Sequence, residues 1–200
     1  MSQLNNDLRV KRSQKLIREA LIDLIEERGF DALSVREITE RAMVSRATFY
    51  RLYQDKFDLV ENIYSDAIQA LYDSVSESGL EHPPQIWTRF FDHITEYDRL
   101  YCALLGPKGS PWFVLKMRSS LAKLVEEYEQ NPHFLPKAQA REPLLIDYVR
   151  DMIATMMVET ITWWLEKDRP YSSKEMAWRC ATLAYSIFNE TSTWQINTIQ

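Results

Sequence analysis

The sequence predicts an all-α protein, and three observations support that prediction. Apolar residues recur at helical spacing along almost all of the 200 residues. Only four glycines are available for the tight turns that a sheet-rich fold needs. Hydrophobic residues make up 46% and charged residues 26% of the chain, which is the balance of a globular protein with a packed core. Disorder of the chain as a whole is therefore excluded.

The first predicted helix covers residues 9–28, and its apolar residues form one broad stripe. The stripe consists of Leu16, Ile17, Ala20, Leu21, Leu24 and Ile25. Gly29 follows, and we expect it to end the helix in the left-handed conformation that glycine adopts without strain.

Two short capped helices are predicted next. Ser34 and Glu37 have the spacing of a capping box, which opens a helix of about two turns. After an interruption at residues 42–44, Ser45 is the predicted N-cap of a helix that ends near residue 53. Two short helices joined by a tripeptide have the layout of a helix-turn-helix.

Six further helices complete the prediction. Their expected ranges are 56–78, 86–97, 99–105, 111–129, 143–167 and 173–189. Ser172 and Glu175 repeat the capping-box spacing at the start of the last helix. Residues 106–109 are predicted to form a turn and residues 131–142 a loop.

The sequence contains no recognisable catalytic, cofactor-binding or metal-binding pattern. The three histidines lack the spacing of helix-borne zinc or di-iron sites. We interpret Asp92, His93 and Glu96 as a solvated or pocket-lining helix face rather than a metal or acid–base cluster. Two cysteines are too few for a disulfide scaffold, and no apolar run reaches the ~20 residues of a membrane span. We therefore expect a cytoplasmic protein that needs no cofactor or metal and is not an enzyme.

The predicted helix that follows Ser45 has two chemically different sides. The inward side is apolar and consists of Phe49, Leu52 and Tyr53. On the outward side, Arg46 can donate two hydrogen bonds to guanine, and the small Ala47 permits close approach to a base or a thymine methyl. Side chains that suit phosphate oxygens are Ser45, Thr48, Tyr50 and Lys56. The alternative is that these polar residues form an ordinary solvated helix face.

A longer pattern indicates a family. Thr48, Tyr50, Tyr53 and Lys56 form a Thr-x-Tyr-x-x-aromatic-x-x-Lys run at a set distance after Gly29-Phe30. With this run, residues 10–62 resemble the N-terminal domain of TetR/AcrR-family transcriptional regulators. The sequence departs from the family pattern at two positions where glycine is usual or frequent, Met43 and Ala47. Met43 is expected to adopt the backbone of the turn at a cost of ~1 kcal/mol.

The resemblance implies a homodimeric transcriptional regulator, most often a repressor, that a small effector releases from a palindromic double-stranded DNA operator. We expect a DNA-binding domain over residues 1–56 and an effector-binding and dimerisation domain over residues 57–200. The base contacts that the resemblance implies are Arg46, Ala47 and Arg51. The implied phosphate contacts are Arg36, Ser45, Thr48, Tyr50 and Lys56, with Lys11 and Arg12 as an N-terminal arm.

Residues 63–200 hold all six tryptophans. Their aromatic and methionine side chains form either plain core or a pocket for a small apolar or aromatic effector. The pocket candidates are Trp87, Phe91, His93, Tyr101, Trp112, Phe113, Met117, Met156 and Trp163. The helices over residues 143–167 and 173–189 have wide apolar faces, which predict a four-helix homodimer interface. Control by a protein partner, and a helical enzyme that uses the aromatic cavity, are the alternatives.

The net charge of −5 is unevenly distributed. Residues 1–60 contain 11 basic and 10 acidic side chains, a net charge of +1, whereas residues 61–200 contain 13 and 19, a net charge of −6. Residues 1–18 alone contain five basic side chains and one acidic side chain. This distribution predicts that the N-terminal part faces nucleic acid.

Overall fold

The computed structural model describes residues 2–75, 85–130, 143–191 and 194, and the regular elements in these ranges are all α-helices. They are α1 (Ser2–Arg28), α2 (Val35–Arg41), α3 (Arg46–Leu52), α4 (Lys56–Val75), α5 (Gln85–Glu96), α6 (Asp98–Leu105), α7 (Pro111–Gln130), α8 (Pro143–Glu166) and α9 (Ser173–Thr191). The predicted all-α fold is confirmed. The predicted end of the fourth helix at residue 78 and the predicted loop over residues 131–142 lie outside the described residues.

α1 begins at Ser2, whereas the spacing of its apolar residues predicts a start near residue 9. The helix is therefore longer than predicted. Its end agrees with the prediction. Gly29 has a φ of +83°, and its amide donates to the carbonyl oxygen of Ile25 at 2.8 Å. A side chain at this position would be strained by the backbone conformation, and its Cβ would lie 3.1 Å from the carbonyl oxygen of Lys108.

The chain divides into two compact units. The first unit contains Met1–Asp66 and Asp98–Phe113, and the second contains Ala67–Tyr97 and Val114–Gln200. The boundary predicted after residue 56 assigns residues 98–113 to the C-terminal part, whereas the spatial division places them in the first unit. Their grouping with α1 is a long-range contact, which helical spacing along the chain does not reveal.

The core of the first unit forms where α1 packs against α2, α3 and α6. The side chains that α1 buries there are Ile17, Leu21, Leu24 and Ile25. From the other helices the core receives Ile38, Phe49, Leu100, Tyr101 and Leu104. Burying several large apolar side chains, each of which contributes roughly 1.5–3 kcal/mol, gives α2 and α3 a supporting base.

In the second unit, α9 packs against both α5 and α8. Phe91 of α5 and Trp164 of α8 meet edge to face, with ring centroids 5.3 Å apart. Trp164 also donates from Nε1 to the carbonyl oxygen of Tyr171 at 2.9 Å. The predicted capping box at the start of α9 is present, because the Ser172 amide donates to the Glu175 carboxylate and the Glu175 amide donates to Ser172 Oγ.

Within the described ranges, none of the helices has an apolar stretch of the length needed to cross a membrane.

Candidate nucleic-acid interface

α2 and α3 are each started by a serine N-cap. Ser34 Oγ accepts a hydrogen bond from the Glu37 amide at 3.4 Å, and the Glu37 carboxylate accepts one from the Ser34 amide at 2.9 Å. Ser45 Oγ accepts from the Thr48 amide at 3.1 Å. Both predicted N-caps are confirmed. Because each cap satisfies an amide that lacks an intrahelical partner, it fixes where its helix begins.

The turn between the two helices contains one strained residue. Met43 has a φ of +51°, and the residue is 92% exposed. Ala42, by contrast, is buried. The Val44 amide donates to the Thr39 carbonyl oxygen at 3.1 Å, which closes the turn. The prediction that Met43 adopts a conformation better suited to glycine is confirmed.

The inward side of α3 anchors the helix to the first unit. Phe49 is fully buried, and Tyr53, the residue that follows the helix, is only 6% exposed. Their ring centroids lie 5.6 Å apart, and Leu52 is half-buried. The predicted apolar side is therefore present, and it determines which residues of α3 point outward.

The outward face of α3 consists of the exposed residues Arg46, Ala47, Tyr50 and Arg51. Among the described residues, neither arginine of this face forms an ion pair. The arginines around them differ: Arg28, Arg36 and Arg41 pair with Glu37, Glu40 and Glu27, respectively, at 2.7–2.8 Å. The outward face of α3 therefore presents two guanidinium groups whose donors are available to an external acceptor.

Two hydroxyl groups lie beside this face, at the start of the helix. Ser45 Oγ and Thr48 Oγ1 are 2.9 Å apart and share a hydrogen bond. Ser45 is exposed and Thr48 is half-buried. Tyr50 is 57% exposed, and its ring packs edge to face on Phe49 with centroids 5.6 Å apart. The phenol of Tyr50 therefore remains open to solvent on the outward face while one side of its ring contacts Phe49.

The other basic residues expected at DNA occupy exposed sites on α1 and α2. Lys11 and Arg12 are exposed and belong to the helix α1 rather than to a separate arm. Arg36 is exposed and donates to Glu40 at 2.7 Å, and this bond raises the pKa of its guanidinium. A contact between Arg36 and a phosphate would therefore compete with this exposed ion pair, which is worth little in water.

Lys56, the first residue of α4, turns its ammonium towards backbone carbonyl groups of the first unit. Its side chain is buried, with 9% of its surface exposed, and Nζ donates to three backbone carbonyl oxygens of the first unit. The pKa of the Lys56 ammonium lies below its ordinary value, because burial lowers it by more than the carboxylates of Asp31 and Asp55 raise it. All three N–H donors of the Lys56 ammonium already have acceptors, so the phosphate contact predicted for Lys56, which stays a prediction, would have to replace one of these bonds.

The predicted effector-pocket residues divide between the two units. Tyr101, Trp112 and Phe113 belong to the first unit. There the Tyr101 and Phe113 ring centroids lie 5.9 Å apart. The candidates in the second unit are Trp87, Phe91, His93, Met117, Met156 and Trp163. Of these, Trp163 is 43% exposed and stacks on Tyr171, so it lies on a surface of its unit.

Sequence reasoning missed two residues that connect α6 and its following turn to α1. Arg99 donates to the carboxylates of Glu19, Asp23 and Glu26 at 3.0–3.3 Å. Lys108 donates from Nζ to two backbone carbonyl oxygens of α1. These partners lie 73 to 82 residues away along the chain, so neither helical spacing nor a local motif could identify them.

The fold and this geometry define the class of the protein: an all-helical transcription regulator with an N-terminal helix-turn-helix. Residues 17–63 match the family model described as "Bacterial regulatory proteins, tetR family". Residues 81–186 match "Transcriptional regulator C-terminal region". The chain belongs to the TetR family of transcriptional regulators, whose members and relatives are DNA-binding regulators and not enzymes.

Individual relatives agree with this assignment. The chain is 34% identical over 70 residues to an uncharacterised HTH-type transcriptional regulator, YxbF, of Bacillus subtilis strain 168, covering 33% of this chain and 18% of YxbF. It is 23% identical over 124 residues to DhaS, an HTH-type dhaKLM operon transcriptional activator of Lactococcus lactis subsp. lactis strain IL1403, covering 61% of this chain and 65% of DhaS. The match therefore spans less than two thirds of the length of either relative.

The fold is also similar to that of a solved structure. A TetR transcriptional regulator from Streptococcus agalactiae 2603V superimposes with a TM-score of 0.57 at 20% identity, covering 91% of this chain and 98% of that one.

Proposed function

We propose that the protein is a homodimer that binds a palindromic DNA operator through the outward face of α3. One observation carries this proposal: Arg46 and Arg51 are exposed without an ion pair among the described residues, while Arg28, Arg36 and Arg41 are all paired. A helix that presents free guanidinium groups over an apolar base has the arrangement of a recognition helix in the major groove.

Each residue of the interface has a proposed contact. Arg46 donates two hydrogen bonds to a guanine edge, Ala47 contacts a neighbouring base, and Arg51 reaches a further base. Phosphate oxygens accept hydrogen bonds from Ser45, Thr48, Tyr50 and Arg36. Lys11 and Arg12, exposed on the N-terminal half of α1, add contacts to the DNA backbone.

Homodimerisation is supported by apolar side chains that α8 and α9 leave exposed. On α8, Leu144, Tyr148 and Met152 follow one another at four-residue spacing and are 74%, 53% and 48% exposed. The exposed apolar residues of α9 are Trp178, Leu183 and Tyr185. Exposed apolar patches of this kind mark interaction sites, and two copies of a helix pair form a self-complementary four-helix interface about a two-fold axis.

The DNA-binding proposal is tested by fluorescence anisotropy on DNA from the upstream region of the gene. Arg46→Ala is expected to lower affinity for the preferred sequence and to relax base preference by ~1–3 kcal/mol. Tyr50→Ala is expected to weaken binding similarly on all sequences. Arg118→Ala is the matched control, since it removes an exposed arginine of α7 in the second unit. Equal affinity of the wild type for every sequence would refute the proposal of an operator.

The homodimer is tested by size-exclusion chromatography with light scattering. The wild type is expected at twice the chain mass of 23.7 kDa, and Met152→Glu at the mass of one chain, because it places a charge on the apolar face of α8. Leu115→Glu, on an exposed leucine of α7, is the control and should remain dimeric. A monomeric wild type at micromolar concentration would contradict the proposal.

We further propose repression, relieved by a small apolar or aromatic effector that binds in the second unit. The unit supplies buried Trp87, Phe91 and Met117 as candidate lining residues. Deleting the gene is expected to raise transcription from its operator. A fall in transcription would instead assign an activator, which is what the name of the relative DhaS states for that protein.

A further inference from the structure

The turn between α1 and α2 is held by the buried side chain of Lys56, the first residue of α4. Its Nζ donates to three carbonyl oxygens at distances between 2.8 and 3.0 Å. These oxygens belong to Phe30, Asp31 and Leu33. The three bonds use every N–H donor of the ammonium, so the group is fully committed to the backbone of its own unit.

Aromatic rings enclose the same ammonium. Nζ of Lys56 lies 4.7 Å from the ring centroid of Phe30 and 5.3 Å from that of Phe57, distances that permit cation–π attraction. Trp112 stacks on Phe30 with centroids 6.3 Å apart and meets Phe57 edge-on at 4.8 Å. Two rings therefore lie against the ammonium, and Lys56 is only 9% exposed.

Lys108 holds the end of α1 from another side of the first unit. Its Nζ donates to the carbonyl oxygens of Glu26 and Glu27 at 3.0 and 3.3 Å, and its own carbonyl oxygen accepts from the Phe30 amide at 3.3 Å. The last carbonyl groups of a helix lack intrahelical partners, and a cation near them is favourable. Lys108 therefore supplies a C-terminal cap to α1 from the turn that follows α6.

The position of Lys56 in the chain gives these bonds a specific consequence. Lys56 lies 23 to 26 residues after the carbonyl groups that it binds, and α2 and α3 lie between the two ends. The bonds close this segment, which contains α2 and α3, into a loop.

We propose that Lys56 and Lys108 are positioning residues, which hold the α1–α2 turn by its carbonyl oxygens and thereby orient α3 for DNA. Lys56 then contributes to DNA affinity without touching a phosphate. The proposal rests on the proposed DNA-binding function and replaces the direct contact that the family resemblance implies for Lys56.

The salt dependence of DNA binding separates positioning from contact. Each lost phosphate contact lowers the slope of log Kd against log salt concentration by about 0.9. Lys56→Met is expected to raise Kd at least tenfold with an unchanged slope, and Lys108→Met to raise it less, also with an unchanged slope. Lys11→Met is the reference variant, whose slope should fall by about 0.9. An unchanged Kd for Lys56→Met, or a fall in its slope equal to that of Lys11→Met, would overturn the proposal.

A measurement without DNA keeps this test independent of the proposed function. In ¹⁵N-detected NMR of the free wild-type protein, Lys56 should give a slowly exchanging ammonium signal that is missing from Lys56→Arg. A wild-type spectrum without a protected ammonium would contradict the hydrogen bonds themselves. A protected ammonium in a protein that binds no DNA at low salt would reject the proposed function and leave the position of Lys56 upheld.

Discussion

At the scale of single residues, Met43 shows how the sequence departs from an unstrained helix-turn-helix. Its φ of +51° is disfavoured for a residue with a Cβ, and its side chain is almost fully exposed, so packing does not compensate for the strain. The turn holds Met43 in this conformation because the Val44 amide must reach the Thr39 carbonyl oxygen.

Replacing Met43 is expected to change stability in a direction set by backbone preference. Met43→Asn should raise the free energy of unfolding by about 0.5–1 kcal/mol, because asparagine tolerates the left-handed region. Met43→Val should lower it by a similar or larger amount, since β-branched residues avoid this region. Urea denaturation measures both variants, and equal stability of the two would mean that the backbone at Met43 is not strained.

Features that depend on one or two helical turns were accessible from the sequence. The Ser34 and Ser45 caps, the Gly29 helix end and the two sides of α3 each require only neighbouring residues to be known. The partners of Lys56 and Arg99 were not accessible, because they are defined only after distant segments have folded together. The same limit explains why the sequence motif predicts a phosphate contact for Lys56 and does not reveal that its ammonium binds carbonyl oxygens of its own unit.

At the scale of elements, the described helices α2 and α9 begin with capping boxes of the same kind in different units. Ser34 and Glu37 start α2 beside the proposed DNA interface, whereas Ser172 and Glu175 start α9 in the second unit. Because the chemistry is matched, the pair separates a general loss of helix stability from an effect on DNA binding.

Ser34→Ala and Ser172→Ala are each expected to lower the free energy of unfolding by ~1 kcal/mol, the usual cost of losing an N-cap. Only Ser34→Ala should also raise the Kd for operator DNA, since α2 supports α3. Urea denaturation measures the free energy of unfolding of each variant, and fluorescence anisotropy on the same preparations measures its Kd for operator DNA. An equal rise in Kd for both variants would show that the start of α2 has no special role.

The capping box of α2 is also expected to make the stability of the protein depend on pH. Hydrogen bonds from the Ser34 hydroxyl and amide lower the pKa of Glu37 below its ordinary value of 4.5. A carboxyl group with a lowered pKa in the folded state stabilises the protein above its unfolded pKa, and that stabilisation is lost as pH falls through the folded pKa. The unfolding free energy of Glu37→Gln should therefore fall less steeply below about pH 4.5 than that of the wild type. If the unfolding free energies of the wild type and Glu37→Gln fell in parallel as the pH was lowered, the lowered pKa of Glu37 would be contradicted.

At the scale of the whole molecule, the two units expose different chemistry. The first unit presents Arg46 and Arg51 of α3, which form no ion pair with any residue that the structure describes, and the second presents the exposed apolar residues of α8 and α9. The excess of acidic residues lies in residues 61–200, where repulsion from phosphates disfavours DNA binding; this agrees with the proposed interface on α3.

The proposed dimer links these surfaces. Met152→Glu is expected to weaken binding to a full operator while leaving binding to a single half-site unchanged, because one chain still carries an intact α3. Anisotropy on full-site and half-site duplexes measures the difference. An equal loss on both duplexes would indicate that the substitution damages the first unit instead of dimerisation.

Selection of bound sequences from random double-stranded DNA, with the wild type and with Arg46→Ala, tests most directly whether a dimer reads DNA through α3. The wild type should enrich an inverted repeat whose half-site centres lie about one helical turn, ~34–36 Å, or a multiple of that apart. Arg46→Ala should keep the spacing and lose preference at one base pair in each half-site. Enrichment of no sequence, or of an unsymmetric one, would contradict a dimer that reads DNA through α3.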